Sequence, residues 1–335
     1  MATADIKVDM QEKAQPRSAM PAAAWVAIGA LSALFLGTLG WAIGATAEWQ
    51  QAKDMNVPEN FRSFQKLTDP WTYGDILGPQ IWGGLCETGV SQTPIDLAIP
   101  ATVGDKAGAP MTLNWAEPGF KLDGEVVDSG HGTMQINFAA GGTLTKSTGE
   151  VYQLAQIHCH GPSEHLRDGR GSHIECHYVH LRDNQGATEI AVVGVFLNGN
   201  GNGNPLMQIM LDNAPAKLTS YSEMFEAEVY TKDDIPGADH SHRKLLGGAK
   251  NPGIPVQGIE PATMLPTNRR VATYSGSLTT PPCTEGVSWF VMTEDVTASA
   301  AQVVAFLDYV GNTEIAVNNR PVQPLNGRKV EFHSG

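Results

Sequence analysis

The chain has 335 residues, 41% of them hydrophobic and 17% charged, enough apolar content for one or two globular domains with terminal extensions and too much for disorder throughout. Its formal net charge is −13, and because the three basic and three acidic side chains of residues 1–47 cancel, the whole excess lies in 48–335. Phosphate binding needs clustered Lys and Arg, so this acidic balance argues against nucleic acid as a partner.

Residues 1–21 form a short polar tail. Residues 22–47, AAAWVAIGALSALFLGTLGWAIGATA, contain no charge between Arg17 and Glu48. At 1.5 Å per residue this run exceeds the roughly 20 residues needed to cross a bilayer, and it reads as a transmembrane signal anchor. Ala45-Thr46-Ala47 is also an A-x-A pattern, which fits a signal peptide cleaved after Ala47. The rest of the chain is then expected outside the cytoplasm, membrane-anchored through residues 22–47 if the segment stays uncleaved and secreted or organelle-lumenal if it is cleaved. Lys7, Lys13 and Arg17 before the span favour that orientation but are offset by Asp5, Asp9 and Glu12, so the flanking charges do not settle it.

Residues 48–69 are polar, lack sustained periodicity and read as a linker. From Trp71 onward the texture changes to short apolar runs separated by Gly and Pro, at 111–115, 133–138, 153–160, 174–181, 190–197 and 287–293. Their length, β-branched and aromatic content and bounding turn residues predict a mainly β (α+β) domain. A helix is predicted at 298–310, and 206–210 is a shorter helical candidate. The repeat Asn198-Gly-Asn-Gly-Asn-Gly-Asn204 reads as a flexible surface turn, because Asn and Gly both tolerate left-handed backbone conformations.

The chemistry concentrates in Gln156-Ile-His-Cys-His160 and Glu175-Cys-His-Tyr-Val-His180. Side chains alternate faces along a strand, so His158 and His160 point one way and Cys159 the other. If the second run pairs antiparallel with the first, His177 joins the two histidines, Glu175 shares their face, and Cys176 points away. Three neutral imidazoles with one open position suit catalytic zinc, and Gln156 and Glu175, each two residues before a histidine, are placed to accept its second N–H.

Several separated motifs now stand in one order: Trp71-Thr-Tyr-Gly74, Gln92-Thr-Pro-Ile-Asp96, the two histidine runs, Ser163-Glu-His165, Gly276-Ser-Leu-Thr-Thr-Pro-Pro282 and Asn319-Arg-Pro-Val-Gln-Pro-Leu-Asn-Gly-Arg328. Over roughly 71–328 the chain strongly resembles the α-class (eukaryotic-type) carbonic anhydrases. The resemblance implies that family's fold for 70–332, a large, twisted, mostly antiparallel central sheet with a few short peripheral helices, and zinc-dependent hydration of carbon dioxide to bicarbonate and a proton. It implies Zn2+ on His158, His160 and His177, with Gln156, Glu175 and the backbone carbonyl of Asn318 holding the three rings. Thr279 resembles the residue that accepts a hydrogen bond from zinc-bound hydroxide and donates one to Glu164. Val179, Val192, Leu278, Val287 and Trp289 resemble the apolar wall where carbon dioxide rests, and Thr280, Tyr73 and Gln135 the polar lining that orders water.

His131 resembles the family's proton-shuttle histidine, although it lies four residues before Gln135 where three is usual, so an extra residue must displace the ring or bulge the strand. Four cysteines allow three full pairings; the resemblance implies a Cys86–Cys283 disulfide and leaves Cys159 and Cys176 as free core thiols, a cross-strand bridge between them being the alternative. His165 and His180 read as structural. A catalytically silent relative acting as a binding module is the competing reading, yet all three zinc histidines, Thr279 and Glu164 are present; a zinc-dependent esterase activity is a further reading that the same site supports.

Overall fold

Strands at the centre of the molecule are buried on both faces, so residues 190–197 read in the sequence as a nearly continuous apolar run while 174–181 bury polar side chains as well. The computed structural model describes residues 71, 73, 78–100, 106–129, 132–216, 253–311 and 317–334, all within one compact unit, Ser63–Gly335. In chain order the strands are β1 (Asp96–Leu97), β2 (Met111–Leu113), β3 (Leu122–Asp128), β4 (Met134–Phe138), β5 (Thr143–Lys146), β6 (Val151–His160), β7 (Leu166–Arg167), β8 (Ile174–Asn184), β9 (Ala187–Asn198), β10 (Ile254–Ile259), β11 (Val271–Ser277), β12 (Glu285–Thr297) and β13 (Glu331–His333). The helices are α1 (Leu85–Thr88), α2 (Pro205–Asp212) and α3 (Ala300–Val310).

Eleven strands make one large twisted sheet in the order β10-β3-β4-β6-β8-β9-β12-β11-β13, with β5 joined to β6 and β2 to β5. Its pairings are antiparallel except β9 with β12, which run parallel. A parallel pair needs a long crossover, and the chain between β9 and β12 includes α2, β10 and β11. β1 and β7 form a separate parallel pair. This is the mainly β architecture with few peripheral helices that the sequence predicts.

The sheet's two faces bury different things. Ile157, Cys159, Cys176 and Tyr178 join Leu206, Met207 and Met210 of α2 and Val303, Phe306 and Val310 of α3 in the larger apolar core, each large side chain worth roughly 1.5–3 kcal/mol when fully buried. Val179, Val192, Val287 and Trp289 belong to a second cluster with Ile95 and Leu97. α3 starts on a capping box, Ser299 accepting from the Gln302 N–H and Gln302 returning to the Ser299 N–H. The Asn-Gly tract ends in structure: buried Asn204 caps α2 by accepting from Met207 N and donates to the Thr263 carbonyl.

Two expectations are corrected. Among the described residues no helix is long and apolar enough to cross a membrane, the longest being the 11 residues of α3. The span at 22–47, like the tail 1–21 and the linker 48–69, lies outside the described residues, and nothing among the described residues supports the membrane as a partner. Cys159 and Cys176 are not free thiols: they form a disulfide, as do Cys86 and Cys283, so no free cysteine remains among the described residues. The register explains the bridge, because Cys159 and Cys176 lie directly opposite each other on paired strands and point to the same face.

Candidate metal centre

The site begins with a defect in β6. The β6–β8 register shifts between Leu154 and Gln156, so Leu154 and Ile157, three residues apart, both reach the larger core. A one-residue bulge reverses the in-and-out alternation of everything beyond it. Gln156, His158 and His160 therefore share the face opposite to Ile157 and Cys159. His158 lies directly across from His177 and His160 across from Glu175, so the three imidazoles converge with ring centroids 4.7, 5.0 and 5.2 Å apart.

An acceptor holds one nitrogen of each ring. His158 Nδ1 is 2.7 Å from Gln156 Oε1, His160 Nδ1 is 2.7 Å from the Asn318 carbonyl, and His177 Nε2 is 3.0 Å from Glu175 Oε1. Those oxygens only accept, so each of these nitrogens carries the proton and the opposite nitrogen offers a lone pair. One donor atom from each of His158, His160 and His177 lies within 4.8 Å of the other two. That donor set fits one divalent ion of the borderline class, with a coordination position left over.

A second close group, His165, Glu175 and His177, serves the first. Buried Glu175 accepts from the Glu164 and His165 backbone N–H groups at 2.9 and 2.7 Å, and from His165 Nδ1 at 2.7 Å. His165 Nε2 lies 2.6 Å from the Tyr274 hydroxyl oxygen. The Tyr274 hydroxyl donates to Thr93 Oγ1, 3.1 Å away, which also takes the Ser277 N–H. This chain ties His177 to the strand carrying Tyr274 and was not anticipated; Glu-His in Ser163-Glu-His165 is the local signal for it.

Two buried glutamates in this pocket titrate in opposite directions. Burial pushes Glu164 up, to about 7, with only partial relief from His177. Burial also acts on Glu175, but contacts with His165 and His177 outweigh it and hold that carboxyl well below the ordinary 4.5. Burial lowers the His177 pKa against the pull of Glu175, the direction that favours the neutral ring needed for metal binding. Glu164 Oε1 accepts the Arg320 N–H at 2.9 Å and its carboxyl is hydrogen-bonded to the Thr279 side chain.

Around these groups Val179, Val192, Leu278, Val287 and Trp289 are all buried in one apolar cluster, Trp289 edge-on to His177 at 4.9 Å. Tyr73, Gln135 and Thr280 line the cavity over His158 and His160, together with Ser129 and Thr133, which sequence reading missed. The Cys86–Cys283 disulfide holds the loop after β11, where the Cys283 N–H returns to the Thr280 carbonyl at 2.8 Å. His131 lies outside the described residues. β4 pairs with β3 and β6 without a register shift, the Ser129 N–H meets the Thr133 carbonyl at 2.9 Å, and Gln135 lies opposite His158.

Residues 77–334 match the family model of eukaryotic-type carbonic anhydrases. The chain belongs to that family. A carbonic anhydrase from a Nostoc species is 35% identical over 78% of this chain and 84% of its own length. The structure of carbonic anhydrase Cah3 from Chlamydomonas reinhardtii in complex with acetazolamide is 34% identical, with a TM-score of 0.58 over 78% of this chain and 98% of that one. Dioscorin, solved in complex with ascorbate, is 26% identical with a TM-score of 0.58 over 79% and 98%. One fold can host different proteins, so the chemistry is decided by the site. Here three histidines cluster as metal donors, and the chain is an enzyme that hydrates carbon dioxide to bicarbonate and a proton.

Proposed function

We propose that His158 Nε2, His160 Nε2 and His177 Nδ1 hold a catalytic Zn2+, with Gln156, Asn318 and Glu175 fixing the rings. The observation that carries this reading is the set of three imidazoles, each committed at its other nitrogen to an acceptor, with donor atoms within 4.8 Å of one another. Bound there, zinc supplies acidity to a water molecule, whose pKa in carbonic anhydrases is known to fall to about 7.

The protein's own groups do the rest. Thr279 donates its hydroxyl proton to Glu164, so Thr279 Oγ1 turns only lone pairs toward the cavity and accepts a hydrogen from the reacting water. That single acceptor fixes the water's orientation and aims its free lone pair at the carbon of carbon dioxide. The Arg320 N–H holds Glu164 Oε1 from the other side. Val179, Val192, Leu278, Val287 and Trp289 offer the substrate a surface without hydrogen-bond donors, which suits an apolar molecule and favours release of the charged product. Tyr73, Gln135 and Thr280 order water between the reacting centre and solvent. His131 takes the proton away, since imidazole titrates near neutrality.

The domain works outside the cytoplasm; its two disulfides support an oxidising compartment. Carbon dioxide hydration by the full chain, measured as purified, after removal of zinc by chelation and after zinc is restored, tests the central reading. Activity should vanish and return with the metal. Full zinc content without hydration contradicts it.

A further inference from the structure

The disulfide between Cys159 and Cys176 sits directly behind the metal donors. In the β6–β8 register it lies between the pair His158 with His177 and the pair His160 with Glu175, on the opposite face of the same two strands, with both cysteines fully buried. Two donors come from β6 and one from β8, so the distance between these strands sets the distance between the donors. Backbone hydrogen bonds alone allow a ladder to breathe; a covalent link one residue from every donor does not. The Cys159 peptide is fixed on its other side as well, its carbonyl accepting from Thr133 Oγ1 at 2.7 Å and from Asn318 Nδ2 at 3.2 Å. Asn318 also accepts the Gly161 N–H at its side chain and the His160 ring N–H at its carbonyl. Cys159 is thus the node where β8, the β3–β4 turn and the residue holding His160 meet.

We propose that the Cys159–Cys176 disulfide is a positioning element of the metal site, which fixes the spacing of β6 and β8 and slows release of the ion. This rests on the zinc reading above. It assigns to a pair facing away from the metal a part in holding it, separate from the part of Cys86–Cys283, whose loop carries Thr279 and Thr280 and no metal donor.

The test is the rate at which a chromogenic chelator draws zinc from the full chain under native conditions. Cys159→Ala/Cys176→Ala and the fuller Cys159→Val/Cys176→Ala should both release zinc about 10–100-fold faster than wild type, the range for lost supporting contacts around a metal. Both should also broaden the visible spectrum of the cobalt-substituted protein. Cys86→Ala/Cys283→Ala should release zinc at the wild-type rate. Equal release from the Cys159/Cys176 variants overturns the proposal, as does equal acceleration in the Cys86/Cys283 variant, which points to general loosening. If the Cys159/Cys176 variants fail to fold, wild type refolded with zinc in the presence of reductant is compared with the oxidised protein, and equal release rates overturn the proposal. A wild-type chain that takes up no zinc sinks the zinc reading itself and is distinguishable from all of these outcomes.

Discussion

β6 and β8 present two faces of opposite chemistry within a few ångströms. One face carries three imidazoles, each oriented by an acceptor, beside two buried glutamates. The other carries Ile157, Tyr178 and a disulfide, packed under α2 and α3. The polar face gains little stability from its burial, since desolvated polar groups at best recover their lost hydration through hydrogen bonds. The apolar face supplies the rigidity, and the polar face uses it to hold donors where an ion can take them together. The two disulfides divide in the same way. Their sequence separations are 197 and 17 residues, worth about 5 and about 3 kcal/mol in the chain-entropy account, yet the shorter loop is the one behind the metal donors.

Substitutions on the polar face should therefore remove function while sparing the fold. His160→Ala has the largest expected effect, loss of both bound zinc and carbon dioxide hydration with an unchanged far-UV circular dichroism spectrum; retained activity would break the comparison at once. Thr279→Val should keep zinc but lower kcat/KM by about 100–1000-fold, the range for losing one preorganised hydrogen-bonding group at a reacting atom. Gln156→Ala should weaken zinc binding by about 10–100-fold, read by competition with a chelator, because His158 loses the acceptor that fixes its tautomer. His131→Ala should slow turnover mainly in weak buffer, with rescue by added imidazole; equal loss in every buffer would count against a shuttle.

The smallest effect belongs to the apolar face and appears in stability. His180 is buried there with Trp115 Nε1 donating to its Nε2 and its Nδ1 on the Tyr178 carbonyl, and burial lowers its pKa to about 3 from the ordinary 6.5. The unfolded chain binds this proton from pH 6.5 downward while the folded protein refuses it until about 3. Stability is therefore full above pH 6.5 and falls as pH drops through that window, by about 1.4 kcal/mol per pH unit for one proton. His180→Gln should flatten the slope of denaturant stability between pH 6 and 4 by about that amount; an unchanged slope would mean that the ring is not held neutral.

Much of this was legible in the residues, and what was hidden is instructive. His-x-His followed by Glu-x-His pointed to the three converging imidazoles and two of their acceptors, because alternation along a strand is a strong local rule. The apolar wall came only through family resemblance, since Val179, Val192 and Val287 look like any other core valines. Asn318 lies 158 residues from His160, and no local pattern announces such a partner. Strict alternation from Val151 would have aimed His158 into the core; the bulge beyond Leu154 corrects this and leaves no mark in composition. The Cys159–Cys176 bridge is not legible locally, because placing both cysteines behind the histidines does not give the register that sets them opposite each other. The weakly apolar strands β5, β10 and β13 carried too little pattern to read.

X-ray absorption at the zinc edge of the full-length protein addresses the two-face account most directly. Three imidazole nitrogens and one further light atom around zinc, with no sulfur, are the predicted result. A sulfur neighbour, or fewer than three imidazoles, would contradict it.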